Sequence, residues 1–271
     1  MFLRSRPFVP VLVTLALWVT GTRAGGQEQI DHATLNETGE KTPEISTAEF
    51  RTVLHEHRAV VIDTRPFKEY AMGHIPGAFD AAPKPGVSLS LYVSDVEEVG
   101  RIVQQNLETP IVLYCNGPFC ATTRQLANSL VAEGYTHVMR YQLGMPVWRA
   151  LGGLAQIELA GAASLMAFDR TAVFVDAREP NEYKSKTVPG ARNLPRSKLN
   201  AEKNEGEARD TGAEGLLSVE DHSTRIVVFG DNEEQSCGVG EALAQEGFSN
   251  VSFYAGSVQE LLVAAMADSV R

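Results

Sequence analysis

Apolar residues recur along this chain in two periods. Short apolar runs lie at 59–62 and 111–114, and a mixed stretch, His137-Val138-Met139-Arg140, reads as a further strand, each bounded by turn signals. They are too brief for helices and predict strands covered on both faces. Between them, apolar residues fall three and four apart. Ser46-Thr47-Ala48-Glu49 is a capping box opening a helix that buries Phe50, Val53 and Leu54. A short helix is predicted over 66–71, and another over Val96, Val99, Ile102 and Val103 behind Ser94 or Asp95. A longer one covers 121–133, with Leu126, Leu130 and Val131 on one face and Gly134 as its stop. Residues 73–78 read as a loop into a further short strand, and 144–152, with Trp148, as a closing helix. Strands alternating with helices predict an α/β fold with a parallel sheet.

The pattern occurs twice. Val60-Val61-Ile62-Asp63-Thr64-Arg65 returns as Val173-Phe174-Val175-Asp176-Ala177-Arg178, an offset of 113 residues from Asp63 to Asp176. Ile75-Pro76-Gly77-Ala78 returns as Val188-Pro189-Gly190-Ala191, and Tyr141 as Tyr254, at the same offset. Solenoid repeats run to roughly 20–50 residues, so this is a duplicated domain: 45–155, then 156–271. The second copy carries an acidic, glycine-containing insertion at 200–215 that reads as a mobile loop; a partner-binding acidic arm is the alternative.

The N-terminus departs from this pattern. Arg4 and Arg6 precede an apolar stretch over 8–19, and Thr22-Arg23-Ala24 offers small residues for cleavage. Residues 1–24 are expected to be a cleavable signal peptide, placing the protein in a secreted or periplasmic compartment without stable membrane insertion. Residues 25–44 are polar and read as a flexible leader. The composition, 44% hydrophobic and 21% charged, is that of a globular protein. A net charge of −10 argues against nucleic acid as a partner. Three cysteines do not make a disulfide scaffold and suit a reactive site better.

The candidate chemistry sits after the strand 111–114, in Cys115-Asn116-Gly117-Pro118-Phe119-Cys120-Ala121. A strand, a tight loop and a helix N-terminus favour an anion, and a cysteine there has its pKa depressed toward the nucleophilic thiolate. The competing reading makes Cys115 a buried small hydrophobe. Cys120 is a possible resolving thiol, Phe119 a possible pocket wall, and Arg65 and Arg124 possible substrate-binding cations. No nearby histidine completes a metal site, and no cofactor is implied.

Asp63-Thr64-Arg65, Glu69-Tyr70, the Gly73–Ala78 loop, the cysteine loop with its helix and the Leu143-Gly144 to Gly152 segment resemble the rhodanese homology domain. The resemblance implies two tandem rhodanese-like domains and sulfurtransferase activity. A Cys115 persulfide would carry sulfane sulfur from thiosulfate or a persulfide to a thiol acceptor, cradled by loop amides from Asn116 to Ala121. Gly230 stands opposite Cys115 in the second copy, followed by acidic Asp231, Glu233 and Glu234, and Cys237 lies beyond in the next helix, so the second copy reads as non-catalytic. Cys115 to Gly134 spans 19 positions against 17 from Gly230 to Gly247, so the first loop or its helix is two residues longer. Arg65 has a counterpart in Arg178, which favours a structural Asp–Arg pair, and His74 reads as a turn residue rather than a base. A phosphatase of the Cys-x5-Arg type is a poor fit, because Ala121 stands where the arginine is needed. Two alternatives remain: a thiol redox protein using Cys115 and Cys120, and a non-catalytic interaction module.

Overall fold

The computed structural model describes residues 29–80, 95–199, 217 and 220–268. The segment expected to be a signal peptide (1–24), the first residues of the leader and the acidic insertion at 200–215 lie outside them. In the first domain the elements are α1 (Thr47–His55), β1 (Val60–Asp63), α2 (Phe67–Met72), β2 (Phe79–Asp80), α3 (Val96–Ile102), β3 (Ile111–Tyr114), α4 (Ala121–Ala132), β4 (Val138–Tyr141) and α5 (Gly144–Ala150). β5 (Ala155–Ile157) and α6 (Leu159–Phe168) follow, then β6 (Val173–Asp176), α7 (Pro180–Ser185), β7 (Arg192–Asn193), β8 (Ile226–Gly230), α8 (Glu233–Gln245), β9 (Val251–Ser257) and α9 (Val258–Asp268). Both sheets are parallel, ordered β2-β1-β3-β4 and β5-β9-β8-β6-β7. The expected α/β architecture of two tandem domains is present, each with helices on its sheet.

The apolar runs are buried on both faces because successive side chains alternate. Val112 and Tyr114 of β3 join the cluster of Phe50 and Trp148 beneath α1 and α5, whereas Ile111 and Leu113 join Val99, Leu126 and Leu130 beneath α3 and α4. β8 repeats this, with Ile226 and Val228 against α8 and Val227 and Phe229 against α6 and α9. The Ser46 capping box forms with both hydrogen bonds, and Asp95 caps α3.

Two features differ from the sequence reading. Part of the leader is bound, not loose: Asp31 pairs with Arg51 at 2.9 Å, and Glu37 pairs with Arg124 at 2.5 Å and with buried Arg140 at 2.8 Å. Polar composition says nothing about such a leader when its partners are cations of the domain itself, one of them the buried Arg140. The connection after α5 is also a strand. β5 pairs with β9 of the second sheet, while its central residue Gln156 also exchanges backbone hydrogen bonds with His74 of the first domain at 2.9 and 2.8 Å. Three residues are too few for a periodic signal, so β5 was not legible.

Candidate functional site

The cysteine loop leaves the carboxyl end of β3, beside β1, where the sheet order reverses; open α/β sheets place their crevices there. Thr64 fixes the strand end, its amide and its hydroxyl each donating to the Tyr114 carbonyl at 2.9 Å. Gly117 turns the chain with φ +111°, and the Cys120 amide donates back to the Gly117 carbonyl at 3.0 Å. That amide, one of those expected to face an anion, therefore points into the loop. Pro118 lies in the turn, Cys120 is the N-cap residue of α4, and Ala121 is its first residue. The extra length is in the loop and not in the helix, since α4 has 12 residues and α8 has 13.

Cys115 and Cys120 are joined as a disulfide, with their Cα atoms 6.3 Å apart. The thiolate read from the sequence is thus absent in this state, because a disulfide sulfur does not titrate. The Thr122 hydroxyl lies 3.4 Å from the Cys115 sulfur and 3.0 Å from the Cys120 sulfur, and 3.3 Å from the Thr64 hydroxyl. One hydroxyl is therefore placed to donate to either sulfur once reduced. Phe119 does not wall a pocket: it is 96% exposed at the tip of the loop.

The loop is braced from below. The Gln142 amide donates to the Pro118 carbonyl at 3.3 Å and the Cys120 carbonyl at 3.1 Å, and its oxygen accepts from Arg140 at 3.2 Å. Arg140 is 1% exposed and held by Glu37 and Thr42. The hydrogen bond from Arg140 pulls the Glu37 carboxyl below its usual range, against the cost of burial. Arg124 is tied to this same Glu37, so it is part of the brace. At the side of the loop Met145 donates its amide to the Cys115 carbonyl at 3.0 Å, and Gly144, at φ +62°, packs directly on the Cys115 carbonyl and the Gly117 amide nitrogen.

Arg65 is buried and bidentate on Asp63, with Nε 2.9 Å from Oδ1 and Nη2 2.6 Å from Oδ2, and it also donates to the Gly73 carbonyl at 2.7 Å. Its fourth contact, 3.5 Å to the Asn116 side chain, touches the loop, and Asn116 in turn donates to Glu69. His74 is 1% exposed, stacked on Tyr70 at 3.8 Å, and burial pushes its pKa down to about 4. A neutral ring with its Nδ1 on the Tyr70 carbonyl at 3.1 Å is a packing residue.

The second loop is built differently. Gly230 replaces the cysteine, and the Gln235 side chain fills the space above it while accepting from the Asp231 amide at 2.9 Å. Burial, then Glu241 and Glu233, push the Cys237 thiol up to about 11. Sequence reasoning missed Thr122, Arg140 and Gln142. The signal was a difference between copies, since Arg140 and Gln142 face Phe253 and Ala255 at the 113-residue offset. Among the described residues no group of three or more His, Cys, Asp or Glu side chains is placed to hold a metal.

A family model for the rhodanese-like domain matches residues 46–151 and again 160–263. The HTH-type transcriptional regulator Rv0324 of Mycobacterium tuberculosis is 28% identical over 108 residues, 40% of this chain and 42% of that protein. The chain therefore spans less than half the length of the curated relative it matches. Among solved structures, thiosulfate sulfurtransferase from Pseudomonas aeruginosa is 22% identical over 79% of this chain and 43% of its own, with a TM-score of 0.33. The human single-domain sulfurtransferase TSTD1 is 25% identical over 40% of this chain and 95% of its own, with a TM-score of 0.33. SseA from Escherichia coli, described as a 3-mercaptopyruvate sulfotransferase, is 18% identical over 80% of this chain and 99% of its own, with a TM-score of 0.31. With two matched domains that together span most of its length, this chain belongs to the rhodanese-like domain family.

Proposed function

We propose that the protein is an exported sulfurtransferase whose reduced Cys115 takes a sulfane sulfur as a persulfide and passes it to a thiol acceptor. Family membership supports the reaction class, and the buried Cys115, held in a braced loop at the carboxyl end of β3, supports that residue as the nucleophile. The observation that carries the reading further is the Cys115–Cys120 bond. In the absence of an acceptor, the Cys120 thiolate attacks the Cys115 sulfur of the persulfide. The Cys115–Cys120 bond forms, the bond to the outer sulfur breaks, and hydrosulfide leaves with the electron pair. An external dithiol then returns both cysteines to the reduced state and is itself oxidised to a disulfide. Thr122 donates to whichever thiolate is leaving.

The second reading, a thiol redox protein, is favoured by the same disulfide and omits the persulfide. Mass spectrometry of protein reduced with dithiothreitol, desalted and then treated with thiosulfate or a persulfide donor separates the two. Sulfur transfer predicts a mass gain of one sulfur atom on Cys115, which accumulates in Cys120→Ser, is abolished in Cys115→Ser and is unchanged in Cys237→Ser. Dithiol–disulfide cycling with no such gain in any variant would replace sulfur transfer by the redox reading.

A further inference from the structure

The loop that carries both cysteines is held by a chain of side chains that begins in the leader. The end of the leader runs beside β4: the Arg140 amide donates to the Pro43 carbonyl and the Ile45 amide to the Arg140 carbonyl, each at 2.9 Å. Farther back, the Glu37 carboxylate reaches two elements at once. Its Oε1 accepts from Arg124 near the start of α4, and its Oε2 accepts from Arg140 Nη1 at 2.8 Å. The same Nη1 lies 3.2 Å from the Gln142 side-chain oxygen, which leaves the Gln142 amide nitrogen facing the loop. There it donates to the Pro118 and Cys120 carbonyls. Glu37 thus grips α4 just after Cys120 directly, and Cys120 itself through Arg140 and Gln142.

Orientation is what Arg140 supplies. A free glutamine amide can turn either end toward the loop. With its oxygen there it would meet two carbonyl oxygens and repel them, so the donor from Arg140 fixes the bracing arrangement. Stability alone does not ask for such a residue, because a buried cation is costly to keep. In the second copy Phe253 fills the place of Arg140 and is buried in an apolar core. At the same 113-residue offset Arg124 becomes Cys237 and Gln142 becomes Ala255. The copy whose loop has lost its cysteine therefore also lacks the three side chains of the brace.

We propose that Glu37, Arg140 and Gln142 are positioning residues for Cys120: the leader is a clasp that keeps the Cys120 sulfur at Cys115 and sets how readily the pair closes. Closure depends on the effective concentration of one thiol at the other, which rises as the freedom of the chain between them falls. The proposal rests on the sulfur-transfer reading for its consequence only. In that reading Cys120 expels hydrosulfide from the Cys115 persulfide, so a loosened clasp leaves the persulfide longer for a thiol acceptor. Closure of the disulfide stands without it.

The test equilibrates the full chain with fixed ratios of oxidised and reduced dithiothreitol, in which protein dithiol and cyclic dithiothreitol disulfide become protein disulfide and dithiothreitol. Alkylation of the free thiols followed by mass spectrometry reads the fraction closed, and urea unfolding shows that each variant is folded. We expect the equilibrium constant for closure to fall about tenfold in Gln142→Glu, which keeps the shape of the side chain and its contact with Arg140 but turns an oxygen toward both carbonyls. Glu37→Gln should fall less, about threefold, because Thr42 still accepts from Arg140. Asp31→Asn removes the leader's ion pair with Arg51, which does not touch the brace, and should close like the parent. Should Gln142→Glu misfold, Glu37→Gln decides. A folded Gln142→Glu or Glu37→Gln that closes as readily as the parent, or more so, overturns the proposal. An equal fall in Asp31→Asn and Glu37→Gln also overturns it, by making the effect one of leader docking in general. Because the exchange involves no persulfide, a parent that never gains sulfur on Cys115 leaves this result untouched, and unchanged closure leaves persulfide formation on Cys115 intact.

Discussion

At the scale of the residue, the two copies separate structural side chains from chemical ones. Asp63 and Arg65 make the same fork as Asp176 and Arg178, and each arginine also donates to the carbonyl eight residues on, Gly73 or Lys186. The second oxygen of Asp63 accepts from Tyr114 at 2.7 Å; β8 has Phe229 there, and Thr187 donates to Asp176 at 2.7 Å instead. A buried carboxylate must have its donors, so the loss of one hydroxyl is offset by another. His74 belongs to this structural class, and its burial has a measurable sign. Its folded pKa of about 4 lies below the unfolded value of about 6.5. The unfolded chain therefore takes the proton first, and the contribution is fully present above about pH 6.5 and lost as pH falls toward 4. Urea unfolding at pH 7 and pH 5 should show the parent losing about 1–2 kcal/mol more than His74→Phe, which keeps the stack on Tyr70 and cannot titrate. Equal losses would remove His74 as the responsible group.

At the scale of the element, loop and helix α5 are built against each other. A Cβ on Gly144 would strike the Cys115 carbonyl and the Gly117 amide nitrogen, which are backbone atoms and cannot rotate away. Gly152 has a similar φ of +78° but nothing within 4 Å of the position of its Cβ. Gly152→Ala should therefore cost only the left-handed strain, about 1 kcal/mol. Gly144→Ala adds a collision and should cost about 2–4 kcal/mol in urea unfolding, with slower closure of the Cys115–Cys120 bond. Similar costs for the two alanines would mean that the loop yields freely to α5.

At the scale of the whole molecule, the second domain is a packed partner and not a tethered copy. Ala155 packs in the first core while its strand pairs in the second sheet, and Met72 of the first domain packs against the second core. Gly161 brings α6 onto the Ala71 carbonyl of α2, and the Glu158 amide donates to that carbonyl at 3.0 Å. Gly161→Leu would force that seam apart. Calorimetry should resolve the single cooperative transition expected of the parent into two, or broaden it. A variant that melts as sharply as the parent, at the same temperature, would show that the seam contributes little to stability.

The sequence by itself determined the parts that rest on local periodicity and repetition: two parallel α/β domains, the capped helices, the cysteine loop at the end of β3 and the loss of the cysteine from the second copy. These were legible because alternating and three-to-four spacing are set by strand and helix geometry. Tertiary structure alone decided what the side chains meet. Phe119 points into solvent because the loop turns outward at Gly117, and Arg124 is held by a leader whose polar composition gave no sign of docking. Arg149 was invisible as an interdomain contact because its partners, Asn250, Val251 and Ser252, lie about a hundred residues along the chain. Such contacts are formed by chain crossing between domains, and no local pattern encodes them.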